Sequence, residues 1–337
     1  MKNFKKLLSI GLIFSLAACN GKTNSTSKKD KLNIVTAIYP QYSIAKEIAK
    51  DKANVKMLLK PGQEMHSYEP SPKDIKEIQD ADIFIYNGGH SDAWVDEMLK
   101  SLDTKKTKIV KLIDSVDVLK EEEVEGMEHK HEEKHDHDKE HKHEEKHDHD
   151  KEHKHEEKHH HNHEDEHIWT SPKNGIKMTA FIEKAIKEVN PENKEYYEKN
   201  ADELKGKLNE LDNDLKNMIK SKKRNFIVVG DRFPFRYLCE DYKIEYRAAF
   251  TGCSTEAEAS SGTVKYLVDF VKENKIPVVY RLELSKGLIA KTIADESGAK
   301  VVELHSMHNV SGEDFEKNIS YVDLMKKNIA ALKEGLN

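Results

Sequence analysis

Residues 32–60 read LNIVTAIYPQYSIAKEIAKDKANVKMLLK. The opening run, 32–38, is apolar and partly β-branched, the composition of a buried strand. A helix is predicted over about 42–50, and 54–60 (NVKMLLK) reads as a second strand. Downstream, Ser71-Pro72-Lys73-Asp74 has the chemistry of a helix start. Ser71 caps, Pro72 occupies the first turn, and Asp74 complements the partial positive charge of the helix N-terminus. Residues 82–86 (DIFIY) form the next strand. Such alternation predicts a parallel sheet covered by helices. The pattern then restarts, with strands at 225–229 (NFIVV), 244–248, 277–283 (PVVYRLE) and 300–304 (KVVEL), a helix over 286–297 stopped by Gly298, and a closing helix over 321–335. Between the halves Pro191 opens a helix predicted to reach residue 222. Tyr197, Leu204, Leu208, Leu211, Leu215 and Met218 form one apolar stripe along it, the pattern of a helix packed on a core. The expected fold class is α/β. An N-terminal lobe (31–190) and a C-terminal lobe (223–337) are joined by one long, rigid helix (191–222).

Residues 1–19 read as an export signal: Lys2, Lys5 and Lys6, then an apolar run from Leu7 to Leu16. That run is shorter than the ~20 residues a membrane-spanning helix needs. It ends in Leu16-Ala17-Ala18-Cys19, which resembles a bacterial lipoprotein signal and implies cleavage before Cys19 and acylation of its sulfur, hence anchoring to the lipid bilayer. Residues 20–30 (NGKTNSTSKKD) suit a flexible tether. The remaining cysteines, Cys239 and Cys253, are too few for a disulfide scaffold, although an exported location would permit one bridge.

The net charge of −6 is unevenly spread, since Glu121–Glu166 holds 20 acidic residues against 8 lysines. No basic stripe with interleaved aromatics appears elsewhere, which argues against nucleic acid as a partner. Inside the acidic stretch, HKHEEKHDHDKE at 129–140 recurs unchanged at 141–152 and in degenerate form to 163. No apolar residue occurs there, so residues 120–165 are expected to be a disordered insert in the first lobe. It contains His129, His131, His135, His137, His141, His143, His147, His149, His153, His155, His159, His160, His161 and His163, which is 14 of the 19 histidines. Neutral imidazoles at this density bind transition metals. Without preorganised ligands, the tract suits metal collection better than specific capture.

Five histidines lie outside the tract. His66 follows the strand ending near Lys60, His305 and His308 follow the strand ending at Leu304, and Asp231 follows the strand 225–229. Ligands in open α/β sheets bind beyond the carboxyl ends of strands, so these residues group on physical grounds. His167 resumes ordinary composition after the tract. His90, in a Gly-Gly-His-Ser turn before a helix, reads as an ordinary hydrogen-bonded surface or core residue.

PGQEMHSYEPSPKDI (61–75), HIWTSP (167–172), NPENKEYYEKNADEL, DRFPFRYL (231–238), GCSTEAEAS (252–260) and YVDLMKKNIAAL (321–332) together resemble the zinc- and manganese-specific solute-binding proteins of bacterial ABC importers. The resemblance covers nearly all of 31–335. It implies two Rossmann-like lobes and no enzymatic activity. The implied protein is a monomeric receptor on the outer face of the cell membrane, passing Zn²⁺ to a permease and its ATPase. It also implies that His66 and His167 are metal ligands, and the histidine-rich loop is similar to the zinc branch. The second lobe departs from the commoner pattern. Zinc members often place a histidine where Gly230 stands here, and manganese members use a glutamate near Gly252 and an aspartate near His308. A subgroup with the DRFPF, GCS and His-Asn-Val elements points to His308 as third ligand, with His305 as alternative. The fourth position is left to water, Asp231, Glu283 or Cys253, and Glu64 or Glu69 would orient the imidazoles. Imidazole ligation disfavours manganese. The rival readings are a manganese receptor, a metal-storing adhesin and a zinc hydrolase. The His-Glu-x-x-His spacing occurs only in and at the end of the low-complexity tract (131–135, 143–147, 155–159 and 163–167), where composition gives no sign of the ordered helix that motif needs, and no Gly-x-Ser-x-Gly motif occurs, so neither supports the last.

Overall fold

The computed structural model describes residues 31–127, 164–252 and 259–337. The leader with Cys19, the histidine tract and Cys253 lie outside the described residues.

Among the described residues, eight strands form two parallel sheets of identical connectivity. β1 (Leu32–Thr36), β2 (Ala53–Met57), β3 (Ile83–Tyr86) and β4 (Lys108–Lys111) lie in the order β2-β1-β3-β4. β5 (Phe226–Phe233), β6 (Glu245–Thr251), β7 (Val278–Arg281) and β8 (Lys300–Glu303) lie in the order β6-β5-β7-β8. The crossovers in the first sheet are α1 (Tyr39–Ala49), α2 (Pro72–Asp80) and α3 (Ala93–Ser101). After α4 (Pro172–Val189) and α5 (Lys194–Lys220), the crossovers of the second sheet are α6 (Arg236–Tyr242), α7 (Ser261–Glu273) and α8 (Leu288–Ser297). α9 (Gly312–Glu316) and α10 (Tyr321–Leu336) close the chain. Ser71 caps α2 as its sequence predicts: its Oγ accepts from the Asp74 amide (3.3 Å), and the Asp74 carboxylate accepts from the Ser71 amide (2.9 Å). Among the described residues, no helix is long and apolar enough to cross a membrane.

The apolar stripe of α5 serves two cores. Tyr197, Leu204, Leu208 and Leu211 join the core of the first sheet, while Leu215 and Met218 join that of the second. α10 divides in the same way, giving Tyr321, Leu324 and Met325 to the first core and Ala331, Leu332 and Leu336 to the second. Each large aliphatic side chain so buried contributes roughly 1.5–3 kcal/mol. Two helices therefore tie the sheets together where the sequence indicates one.

The edges of the acidic insert are folded. Lys120 and Glu164 form an antiparallel bridge, and Met127, at the end of the incoming segment, is buried in the second core. Tyr237 on α6 holds both edges: its hydroxyl donates to the Asp165 carbonyl (2.7 Å) and accepts from the Leu119 amide (3.1 Å). The residues expected to begin and end a disordered insert thus pack against the second lobe.

β5 extends to Phe233 rather than ending at 229, with a register shift between Val229 and Arg232 against β6. A bulge of this kind re-aims side chains. At the bulge, a Cβ on Gly230 would lie 2.4 Å from the Ala290 Cα of α8. Helix α8 thus fills the space into which a side chain at 230 would project. Gly230→Ala should destabilise the fold by roughly 1–3 kcal/mol through overpacking, measured by denaturant unfolding. An unchanged midpoint would refute the packing argument.

Candidate metal site

Three loops at the carboxyl ends of strands bring His66, His167 and His308 together, as the parallel topology favours. The loop after β2 carries His66. At its turn Gly62, with φ of +80°, donates its backbone N–H to the Val310 carbonyl (2.7 Å). Asn309 Nδ2 donates to the Lys60 and Gln63 carbonyls at 2.8 and 2.7 Å, so the loop of His66 is bound to the loop of His308. The third loop is tied in by Trp169, fully buried, whose Nε1 donates to the Ser306 carbonyl (2.8 Å) and whose ring meets His167 edge-on.

The ring centroid of His66 lies 5.8 Å from that of His167 and 6.3 Å from that of His308. Ligand atoms of His66, Glu166 and His167 lie within 4.8 Å of one another. The three histidines line a cleft of about 290 Å³ together with Glu64, Asp231, Arg232 and residues of the Leu282–Ile289 segment. His167 and His308 are buried, and His66 is half-buried.

Each imidazole is held at Nδ1. His167 Nδ1 and its backbone N–H both meet Asp165 Oδ1, at 3.0 and 2.8 Å. His66 Nδ1 lies 2.8 Å from Ser91 Oγ, and His308 Nδ1 is hydrogen-bonded to Ser306 Oγ. His308 Nε2 is buried with no hydrogen-bond partner, 3.7 Å from Glu64 Oε1. Asp231 Oδ2 is likewise buried without a partner, while its Oδ1 accepts from the Arg232 amide (3.0 Å).

Electrostatics keep two of the rings neutral. Burial, reinforced by His167, His308 and Arg232, pushes His66 down to about 2. Burial also lowers His308, against the opposing charges of Glu283 and Glu64. For His167 burial pulls down, but the charge and hydrogen bond of Asp165, with Glu166, outweigh it and raise the value. Neutral imidazole is the form a metal ion requires.

The other candidates fall elsewhere. His305 is buried outside the cleft lining, and its Nδ1 accepts from the Met307 amide (3.0 Å). Burial lowers it to about 4. Glu283 is also outside the lining; its two oxygens accept from the Ser306 amide (2.8 Å) and hydroxyl (2.7 Å), and burial raises its carboxyl. Glu64 faces Arg232 (3.6 Å) and the Nε2 side of His308. Glu69 and His90 are exposed. Asp165, Glu166, Ser91 and Ser306, which contact the imidazoles or one another, escaped the sequence reading. Asp165 and Glu166 adjoin His167 but sit in the acidic run, where they look like its tail.

Residues 34–335 match the model of the family described as ZnuA, zinc-uptake complex component A, periplasmic. The chain is 35% identical to the high-affinity zinc uptake system protein ZnuA of Bacillus subtilis (strain 168), over 99% of this chain and 98% of that relative. It is 34% identical to the zinc-binding lipoprotein AdcA of Streptococcus pneumoniae, over 99% of this chain but 61% of AdcA. Among solved structures, the Zn(II)-bound ZnuA-like domain of S. pneumoniae AdcA is similar with a TM-score of 0.70 and 32% identity, covering 91% of this chain and 99% of that one. A metal-dependent lipoprotein of B. subtilis is similar with a TM-score of 0.72 and 31% identity, covering 91% and 100%. A two-sheet fold of repeated topology and a match along almost the whole chain agree, and the protein belongs to the ZnuA family of zinc-uptake components.

Proposed function

We propose that this protein is an extracytoplasmic receptor, not an enzyme, that captures Zn²⁺ in the cleft between its lobes and delivers it to an ABC permease driven by a cytoplasmic ATPase. The observation that carries this reading is the buried, unpartnered Nε2 of His308 in a cleft it shares with His66 and His167. A buried nitrogen lone pair without a partner is costly, and a bound cation would satisfy it. His66, His167 and His308 are the assigned ligands, each through Nε2 because Nδ1 is already engaged. Asp231 is the assigned fourth ligand, since its buried Oδ2 lines the same cleft unpartnered. Three nitrogens and one oxygen in a tetrahedral shell suit zinc, at about 2.0–2.1 Å for each Zn–N bond. Manganese, which prefers oxygen, fits this donor set less well. The names of the relatives as zinc-uptake and zinc-binding proteins support the same cargo and an extracytoplasmic location. Anchoring through acylated Cys19, a monomeric state and a collecting role for the histidine tract complete the proposal.

Calorimetric titration of the chain lacking residues 129–163 tests it. One tight Zn²⁺ site should remain, with Mn²⁺ at least tenfold weaker, on the order of 1.4 kcal/mol. Loss of the tight site on deletion, or equal affinity for Mn²⁺, would sink the assignment.

A further inference from the structure

We propose that Glu166–Ser91–His66 and Glu283–Ser306–His308 are two matching relays, one in each lobe, that hold both imidazoles as the Nδ1–H tautomer and keep both carboxylates off the cargo. The proposal deepens the receptor reading and rests on His66 and His308 being ligands.

The two clusters share one hydrogen-bond pattern. Glu166 Oε2 accepts from the Ser91 backbone amide (2.9 Å), and its Oε1 accepts from the Ser91 hydroxyl. Glu283 Oε2 accepts from the Ser306 backbone amide (2.8 Å), and its Oε1 accepts from the Ser306 hydroxyl (2.7 Å). In both, the serine Oγ then meets histidine Nδ1. In both clusters the serine hydroxyl is the donor to the carboxylate oxygen, and a serine hydroxyl has one proton. That proton goes to the carboxylate, so the serine oxygen must accept from Nδ1–H. The ring proton is thereby fixed on Nδ1, and Nε2 is left as a bare lone pair. His305 shows the opposite case in the same loop: its Nδ1 accepts from the Met307 amide, which places its proton on Nε2, away from ligand duty.

The relays also restrict the donor atoms. A Glu166 oxygen lies close enough to the His66 and His167 ligand atoms to share an ion with them. Its two oxygens are both engaged by Ser91, as those of Glu283 are by Ser306. Serine thus acts twice, fixing the ring and restraining the carboxylate. The consequence is a cleft dominated by nitrogen donors, which disfavours oxygen-preferring cations. Glu166, Ser91, Glu283 and Ser306 are positioning residues.

Glutamine variants separate this role from simple packing, because they are isosteric. In Glu283→Gln the amide oxygen must still accept from the Ser306 backbone N–H, which turns the NH₂ group toward Ser306 Oγ. The hydroxyl then donates to His308 Nδ1, and the ring proton moves to Nε2. Glu166→Gln does the same to His66. Nitrogen-15 correlation spectra of the metal-free full chain at neutral pH read the tautomers directly. Wild type should show His66 and His308 protonated at Nδ1. Each Gln variant should invert only its own histidine and weaken the tight Zn²⁺ site, read by chelator competition, by about 10–100-fold, the usual effect of removing a partner of a metal-ligating histidine. Ser91→Ala and Ser306→Ala should narrow the discrimination between Zn²⁺ and Mn²⁺. Wild-type protons on Nε2, Gln variants with unchanged tautomers, or inverted tautomers with unchanged Zn²⁺ affinity would each overturn the relays. None of these results would touch the receptor reading, which instead fails if alanine at His66 or His167 leaves the tight site intact.

Discussion

His167→Ala is expected to eliminate tight Zn²⁺ binding while leaving the weaker binding of the histidine tract in place. The side chain is almost fully buried, and Asp165 grips both its Nδ1 and its backbone amide, so its position is set before any ion arrives. A preorganised ligand adds no ordering cost to binding. The loss should therefore exceed the 10–100-fold typical of altering a residue behind the ligands, on the order of 100-fold or more. His66→Ala should behave alike, since burial holds its ring neutral and ready to coordinate. Calorimetry separates the two proposed classes of site, because many weak equivalents are expected from the tract and one strong one from the cleft. A variant whose first equivalent of Zn²⁺ binds as in wild type would remove His167 from the site.

The second large effect is structural. Trp169→Ala should cost about 3–5 kcal/mol, as removal of a large buried aromatic does. Trp169 is fully buried in the first core, its indole N–H reaches the Ser306 carbonyl, and its own carbonyl accepts from the buried Tyr321 hydroxyl. It therefore joins the His167 segment, the His308 loop and α10. Trp169→Phe keeps an aromatic ring but loses the donor, and should cost about 1–3 kcal/mol, the penalty for an unpaired buried polar group. Both variants should also weaken Zn²⁺ binding, because the His167 and His308 loops lose their direct tie. Thermal and denaturant unfolding without metal measure the first effect, and chelator competition the second. Stability of Trp169→Ala within about 0.5 kcal/mol of wild type, the scatter of neutral surface changes, would contradict this role.

Much of the fold was legible because strand and helix leave different periodicities. β1, β2 and β3 lie within a residue or a few of the predicted runs, as do β7, β8 and the closing helix. β4 (KIVK) escaped notice because four residues on a sheet edge, flanked by lysines, carry too little apolar pattern. The stripe of α5 was readable as a buried face, but not that its two ends enter different cores. For the site, His66 and His167 stand out by motif, whereas the place after a strand marks His305 and His308 alike, and only the family resemblance prefers His308. Asp165 and Glu166 were hidden in acidic low complexity, where one carboxylate looks like the next. Their burial sets them apart, and burial is invisible in composition.

The chain by itself determined the α/β class, the repeated lobes, the long helix and the family, since these rest on local periodicity and contiguous motifs. The tertiary structure alone decided how donors are sorted. Ser91, Glu166, Glu283 and Ser306 are ordinary polar residues until two lobes fold and bring each carboxylate within reach of a serine and each serine within reach of a histidine. The absence of a side chain at 230, similarly, becomes intelligible only once α8 occupies that space. Hydrogen-bond direction and close packing depend on contacts between residues far apart in the chain, as between Ser91 and Glu166, which lie 75 positions apart.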